Sequence, residues 1–191
     1  MDCPAPPALF TSSVASTDDA PWLRRARRGD PDAFTVLYQR HARAIHSLAW
    51  RLTGEPQIAE DILQETFMRL LRNIGGTDPE RPLRPWLRTV ATNLAIDHLR
   101  RGQRELTDET LEITAPSRQE PDRYLEASGL LRHLPPLARA LVWLNQVEGW
   151  THLSLGQKFG RSESWSKSIV ARALTRLRTI AQASEASPDD E

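Results

Sequence analysis

Residues 59–70 read AEDILQETFMRL, and they sit in a longer run between Pro56 and the glycine pair Gly75-Gly76. Apolar residues recur there three and four positions apart, which predicts a helix with one apolar face that the two glycines end. That face comprises Ile58, Ile62, Leu63, Phe67, Leu70, Leu71 and Ile74, and the opposite face carries Glu60, Asp61, Gln64 and Glu65. Polar side chains opposite an apolar stripe cannot belong to a core, so this second face is open to a partner.

Two further amphipathic helices are predicted on either side of this one. Asp30-Pro31 is typical of an N-cap and first turn, and the helix that follows ends at Gly54 with Phe34, Leu37, Tyr38, Ile45, Leu48, Ala49 and Leu52 inward. After a loop at 75–84, a third helix is predicted from about Pro85 to Arg100-Arg101-Gly102, with Trp86, Leu87, Val90, Ala91, Leu94 and Leu99 inward. Residues 1–20 are rich in Pro, Ser and Thr without periodicity, which predicts a flexible tail.

The second half of the chain begins after a change of composition. Residues 102–122 lose the helical period and gain acidic residues and two prolines, as a flexible linker does. We therefore predict two small helical domains, at 21–101 and 123–180, in an all-α fold without strands. In the second domain, Pro135-Pro136 separates two helices, the later of which ends near Gly149.

The end of the second domain has the pattern of a helix-turn-helix. A short helix at about 151–159 is followed by Gly160 at a tight turn and by Ser162 as the N-cap of a helix to Ile180. Helical spacing turns Trp165, Ile169, Ala173, Leu177 and Ile180 inward and Glu163, Ser164, Lys167, Ser168, Ala171 and Arg172 outward. Such a unit can place its second helix in the DNA major groove. By itself the pattern also fits an ordinary amphipathic helix with a solvated basic face.

Charge is distributed unevenly along a chain whose formal net charge is zero. Residues 129–180 contain eight basic and two acidic residues, a net charge of +6, whereas residues 101–128 carry a net charge of −3. Residues 181–191 carry four acids and no base, which predicts an acidic tail. The basic segment is a candidate for binding a polyanion, which the whole-chain sum conceals.

The sequence gives little support for an enzyme or a metal-binding protein. The sequence has no phosphate-binding glycine loop and no G-x-S-x-G or H-E-x-x-H motif. The single cysteine, Cys3, excludes an internal disulfide framework, and the five histidines lack metal-ligand spacing. We expect no enzyme activity, no cofactor and no metal. Without an apolar run of membrane length or a signal-peptide start, we expect a cytoplasmic protein with no membrane insertion.

Two strings carry a resemblance to a known family. The string at 59–70, followed by PWLRTVATNLAIDHLRR at 85–101, resembles region 2 of the extracytoplasmic-function sigma factors of bacterial RNA polymerase. The second half, from Leu130 through Leu-Pro-Pro and Glu-Gly-Trp-Thr to Arg178, resembles region 4 of the same family. The resemblance covers about residues 22–101 and 123–180, in the family's domain order. It implies that the chain binds core RNA polymerase and gives it promoter specificity.

The resemblance also implies roles for single residues. Asp61, Gln64 and Glu65 match the positions that dock on the clamp helices of the largest polymerase subunit, while region 4 meets the beta flap. The minus 10 element is read as single-stranded DNA, with a base flipped into a pocket formed by the loop at 75–84 and the start of the third helix. Asn93 matches the pocket asparagine. The candidate phosphate contacts are Arg84, Arg88, Arg100 and Arg101, although any single one of these arginines could equally be an exposed residue without a role in binding. Trp86 offers either a stacking face or core packing.

In region 4, Ser164, Lys167, Ser168 and Arg172 match positions that face the minus 35 duplex. Three departures from the family pattern occur there: Ser166 replaces an apolar residue, Ile169 an arginine, and the stretch from His152 to Ser154 an acidic pair. The string SWSKSIVARAL at 164–174, with LNQVEG at 144–149, is similar to the iron-starvation branch, which implies an anti-sigma factor in the membrane. The acidic linker either threads a basic channel of the polymerase or is a solvated tether.

Two binding functions compete with this interpretation. A one-component transcription regulator would use only the C-terminal helix-turn-helix, and the region 2 string at 59–70 argues against it. An interaction module such as an anti-sigma antagonist is disfavoured by the positive charge of 129–180.

Overall fold

The computed structural model describes residues 19–105 and 126–185. Predictions for residues 1–18, for the linker from 106 onward and for the last six residues lie outside these ranges. The helices are α1 (Ala20–Ala26), α2 (Pro31–Thr53), α3 (Pro56–Asn73), α4 (Leu83–Glu105), α5 (Glu126–Leu131), α6 (Pro136–Gln146), α7 (His152–Phe159) and α8 (Glu163–Glu185), with a 3₁₀ turn at Ile74–Gly76. No strand occurs within the described ranges, and the prediction of an all-α fold is confirmed. None of the helices in 19–105 and 126–185 is long and apolar enough to cross a membrane.

The described residues form two compact units. One comprises residues 19–50 and 55–95, and the other comprises 51–54, 96–105 and 126–185. Each unit buries its own set of aliphatic side chains. In the first these are Leu23, Leu37, Ile45, Leu48, Ile62, Leu63, Leu70, Leu83 and Leu87, and in the second Leu52, Ile96, Leu134, Leu137, Leu141, Leu144, Leu155, Ile169 and Val170.

The start of α2 follows the sequence prediction closely. Asp30 Oδ1 accepts the backbone N–H groups of Asp32 and Ala33 at 3.0 and 3.1 Å. Arg25 Nε donates to the other carboxylate oxygen at 2.8 Å. The Ala33 N–H and then the Arg25 guanidinium hold the pKa of Asp30 below its usual value. The cap therefore stays ionised, as a group at a helix N-terminus should.

Two residues predicted to face inward are exposed. Leu71 is 48% exposed and Tyr38 is 39% exposed. Leu71 lies seven residues after Gln64, and seven residues return a helix to nearly the same direction, so Leu71 belongs to the polar face of α3. The rings of Tyr38 and Phe67 pack edge-on with their centroids 4.8 Å apart, and part of Tyr38 remains exposed to solvent.

The ends of several helices differ from the prediction. α1 was not predicted, and it contains Ala20, which composition alone assigned to the tail. α4 begins at Leu83 and continues to Glu105, so Gly102 and the first linker residues are helical. α8 continues to Glu185, five residues beyond the predicted end at Ile180. Propensity signals at helix ends are weak, and packing or the lack of a stop residue decides where the last turn forms.

The helix-turn-helix signals at Gly160 and Ser162 are confirmed, and Thr151 adds a cap that the sequence analysis did not predict. Thr151 Oγ1 accepts the Ser154 N–H at 3.1 Å at the start of α7, and Ser162 Oγ accepts the Trp165 N–H at 3.1 Å at the start of α8. Gly160 has a φ of +67°, which glycine adopts without the steric cost that other residues meet there. Gly160 and Ser162 together turn the chain from α7 into α8, and Thr151 fixes the start of α7.

Candidate protein and nucleic-acid interfaces

The polar face of α3 contains the three residues predicted to contact polymerase. Asp61 and Gln64 are exposed, and Glu65 is partly exposed. Glu65 already has cationic partners, since Arg69 Nε lies 2.9 Å and Arg72 Nη1 lies 3.3 Å from its Oε1. The Arg69 hydrogen bond, followed by that of Arg72, lowers the pKa of Glu65. The face therefore presents exposed carboxylates at Glu60 and Asp61 and a locally neutralised one at Glu65.

This face also carries two apolar residues that the sequence pattern did not assign to it. Met68 is 46% exposed and lies seven residues after Asp61, and the exposed Leu71 lies seven residues after Gln64. The helical period places all four side chains along one stripe of α3. A partner of this stripe would meet polar groups at its N-terminal end and apolar groups at its C-terminal end.

The loop before α4 is organised by short-range hydrogen bonds. Thr77 Oγ1 donates to the Asn73 carbonyl at 3.0 Å, and the Glu80 N–H donates to Asp78 Oδ1 at 3.0 Å. Arg81 Nε lies 3.4 Å from Asp78 Oδ2, and Arg24 of α1 forms an ion pair with Glu80. The loop predicted to help hold a flipped base is thus a structured turn.

The first part of α4 does not bring the predicted DNA-contacting residues together on one face. Arg84, Arg88 and Asn93 are all partly buried, and Arg88 and Asn93 have intramolecular partners. Arg84 and Arg88 are one turn apart and share a side, whereas Asn93 lies half a turn round from Arg84. Trp86 is partly buried, which is compatible with both roles considered for it.

Arg100 and Arg101 lie further along α4, in the second unit. Arg100 Nη1 is 3.8 Å from Asp97 Oδ1, and Arg101 Nε donates to the Asp97 carbonyl oxygen at 3.3 Å. Arg101 is exposed and Arg100 is partly exposed. Both keep donor groups that face solvent.

The exposed side of α8 contains all four residues predicted to face duplex DNA. Ser164, Lys167, Ser168 and Arg172 are exposed, while Ile169 and Ala173 are buried beneath them. Lys167 Nζ lies 2.7 Å from Glu163 Oε1, and Arg172 Nε donates to the Ser168 carbonyl oxygen at 3.3 Å. The Lys167 hydrogen bond and its positive charge are the main causes that lower the pKa of Glu163.

Beneath this surface lies a polar contact that the sequence did not predict. Ser166 is fully buried, and its hydroxyl lies 3.1 Å from Nδ1 of His152 on α7. The sequence marked both positions as departures from the family pattern, but nothing in the linear spacing indicated that they touch. Within residues 19–105 and 126–185, no group of three or more His, Cys, Asp or Glu side chains could hold a metal ion.

Comparisons with known proteins find two family matches along the chain. Residues 37–105 match the family described as Sigma-70 region 2, and residues 124–177 match the family described as Sigma-70, region 4. The RNA polymerase sigma factor CarQ of Myxococcus xanthus is 33% identical over 165 residues, which cover 83% of this chain and 94% of CarQ. The ECF RNA polymerase sigma factor SigL of Mycobacterium tuberculosis is 33% identical over 77% of this chain and 88% of SigL.

A third relative, the RNA polymerase sigma factor NccH of Alcaligenes xylosoxydans xylosoxydans, is 31% identical over 89% of this chain and 97% of NccH. A regulator that used only the C-terminal helix-turn-helix would not contain the region 2 match, so the one-component alternative is excluded. The three alignments cover most of this chain and 88% to 97% of each relative. The chain therefore belongs to the extracytoplasmic-function group of the sigma-70 family, whose members bind core RNA polymerase and direct transcription initiation at specific promoters.

Proposed function

We propose that the two family regions divide the work of promoter recognition, with region 2 docking on the polymerase and opening the minus 10 element while region 4 reads the minus 35 duplex. The observation that carries the proposal is the exposed face of α8, where Ser164, Lys167, Ser168 and Arg172 stand above a buried apolar layer. A basic helix that follows a helix-turn-helix is suited to the major groove. The protein supplies recognition, and the chemistry of RNA synthesis belongs to the polymerase.

Docking on core polymerase is assigned to the α3 face. The exposed side chains of Asp61 and Gln64 can form hydrogen bonds with the clamp helices of the largest polymerase subunit. Glu65 would exchange its bonds to Arg69 and Arg72 for bonds to the partner, or would keep them and present the two guanidinium groups. Region 4 would meet the beta flap as well as DNA.

Opening of the minus 10 element is assigned to the loop at 75–84 and to α4. The Asn93 amide offers a donor and an acceptor to a base edge. Arg84, Arg88, Arg100 and Arg101 supply cationic groups for the phosphates of the separated strand. Since Asn93 lies half a turn round α4 from Arg84, the base at Asn93 and the phosphates at Arg84 and Arg88 would be held on different sides of the helix.

Regulation by an anti-sigma factor follows from the resemblance and is part of the proposal. The narrower assignment to the iron-starvation branch depends on the string at 164–174 and on LNQVEG at 144–149. Because the protein must meet both the polymerase and the chromosome, we place it in the cytoplasm.

Run-off transcription tests the proposed function directly. The full chain would be added to purified core polymerase from the same organism and to fragments of that organism's genome. Defined transcripts that depend on the protein, with upstream sequences sharing a minus 35 and a minus 10 element, are the expected result. A chain that binds core polymerase but directs initiation from no fragment would contradict the proposal, and so would a chain that never binds the core.

A further inference from the structure

The hydroxyl of Ser166 is a polar group in the core of the helix-turn-helix. Ser166 is fully buried, and the imidazole of His152 lies 3.1 Å from its Oγ. Burying a hydroxyl without a hydrogen bond costs free energy. The packing of α8 against α7 therefore depends on the hydrogen bond between Ser166 and His152. Unlike an apolar contact, a hydrogen bond also prescribes direction, because its strength falls steeply as its angle departs from linear.

A second contact region lies further along α7. A Cβ placed on Gly156 would come within 2.8 Å of the Ser162 carbonyl oxygen and 2.9 Å of that of Arg161, so the backbones are in close contact here. The rings of Phe159 and Trp165 lie 5.7 Å apart in the same region. The eight-residue α7 is therefore held against the start of α8 at both ends, with the hydrogen bond at the N-terminal end.

The position of Ser166 gives this hydrogen bond a specific consequence. Lys167 and Ser168 follow it directly, and each residue advances a helix by about 100°. A rotation of α8 that changed the direction of Ser166 would turn both exposed side chains by the same angle.

We propose that His152 and Ser166 are positioning residues that set which bases α8 selects in the minus 35 element. They do so by holding α8 at one rotation about its own axis, so that Lys167 and Ser168 meet the groove at a fixed angle. The inference rests on the proposed reading of the minus 35 duplex by α8. Neither residue needs to touch DNA, and this separates their role from that of the four exposed residues.

The test uses holoenzyme reconstituted from the full chain and core polymerase. Templates are a promoter returned by the run-off experiment and a set in which each minus 35 base pair is changed singly. The proteins are the wild type, His152→Ala, Ser166→Ala, the double variant and His152→Asn, whose amide can replace Nδ1. The matched control is Thr179→Ala, which removes an exposed α8 hydroxyl that bonds only within the helix, to the Thr175 carbonyl oxygen at 3.2 Å.

Base preference is the decisive measurement, because a purely structural role would lower initiation from all templates alike. The quantity compared is the transcript yield from each altered template divided by the yield from the parent promoter. We expect each alanine variant to change this ratio by about fivefold at one or more minus 35 positions, the size expected for a lost buried hydrogen bond. The double variant should be no worse than the more affected single variant, and His152→Asn should restore most of the preference. Thr179→Ala should leave the preference unchanged.

Uniform losses on every template, or strictly additive effects in the double variant, would overturn the proposal. Circular dichroism at the assay temperature establishes that each variant is folded, and if His152→Ala is not, Ser166→Ala and His152→Asn decide the matter. A wild-type chain that initiates nowhere would refute the proposed function itself. An active wild type with unchanged base preference in the variants would refute the positioning role alone.

Discussion

The carboxylate of Asp19 and the imidazole of His41 form a buried hydrogen bond of 2.9 Å between residues 22 positions apart in the chain. Asp19 is 6% exposed and His41 is 3% exposed. The Asp19 carbonyl oxygen also accepts the Leu23 N–H at 2.8 Å, which begins α1. Trp22 in the first turn of α1 lies beneath the guanidinium groups of Arg25 and Arg40, at 5.2 and 5.7 Å from its ring centroid. One residue thus starts α1 and fastens it to α2.

Replacing Asp19 tests this fastening. Asp19→Ala leaves the buried His41 without its partner, and we expect the free energy of unfolding to fall by about 1 to 3 kcal/mol, the cost of leaving a buried hydrogen-bonding group unsatisfied. Urea unfolding followed by circular dichroism measures the change. Glu60→Ala removes an exposed acid of α3 and should change stability little. Equal losses in the two variants would contradict the assignment.

The α3 face makes a separate prediction about core polymerase. Changing Asp61, Gln64 and Glu65 together to Ala should abolish binding to purified core enzyme and leave helicity intact, because the three side chains lie on the face opposite the core. Co-purification with core polymerase and circular dichroism measure the two quantities. Gln39→Ala, an exposed amide on α2, is the control and should bind as the wild type does. Retained binding by the triple variant would refute the docking face.

The basic face of α8 should be visible in the salt dependence of promoter binding. Lys167→Ala with Arg172→Ala removes two cationic side chains proposed to face the duplex, and each cation that neutralises a phosphate contributes about 0.9 to the slope of log affinity against log salt concentration. We expect weaker promoter binding by the holoenzyme and a slope reduced by about 1 to 2. Arg27→Ala with Arg28→Ala removes the same charge from exposed positions in the other unit. An unchanged slope in the α8 variant would argue against entry of α8 into the groove.

Glu163 should restrain DNA binding through Lys167. Its carboxylate holds the Lys167 ammonium at 2.7 Å and repels phosphate, so Glu163→Gln should tighten the promoter complex by about threefold, within the range of exposed ion pairs. The Lys167 hydrogen bond lowers the pKa of Glu163, so the carboxylate is ionised at neutral pH. The difference in promoter affinity between the wild type and Glu163→Gln should therefore persist throughout the neutral pH range. Equilibrium binding of holoenzyme to promoter DNA measures it. Weaker binding by a fully folded variant would assign Glu163 a direct role in the complex.

Replacing glycine by alanine should have opposite effects on stability at Gly156 and at Gly102. Gly156→Ala would bring a methyl group within 2.8 Å of the Ser162 carbonyl oxygen, and overpacking of this kind costs about 1 to 3 kcal/mol. Gly102 lies inside α4, where an added methyl group would meet no other atom within 4 Å, and Gly102→Ala should stabilise the helix by up to about 1 kcal/mol. Thermal unfolding of the two variants measures both changes. A destabilising Gly102→Ala would show that the helix does not continue through this position.

Much of the fold was predictable because its signals are local. The caps at Asp30 and Ser162 act within three residues, and the turn at Gly160 depends on one residue's backbone freedom. The helical period likewise assigned Asp61, Gln64, Lys167 and Arg172 to exposed faces. The ion pairs of Glu65 with Arg69 and Arg72 were also within reach, since spacings of four and seven residues place these side chains together on a helix.

The sequence by itself determined an all-helical chain, the two strings that resemble region 2 and region 4, and the exposed faces of α3 and α8. Only the tertiary structure decided that Asp19 meets His41 and that His152 meets Ser166. Periodicity reports which side of a helix is buried, and that depends on residues a few positions apart. The partner of a buried polar group depends on how two helices cross, and a pattern along one helix contains no information about that crossing.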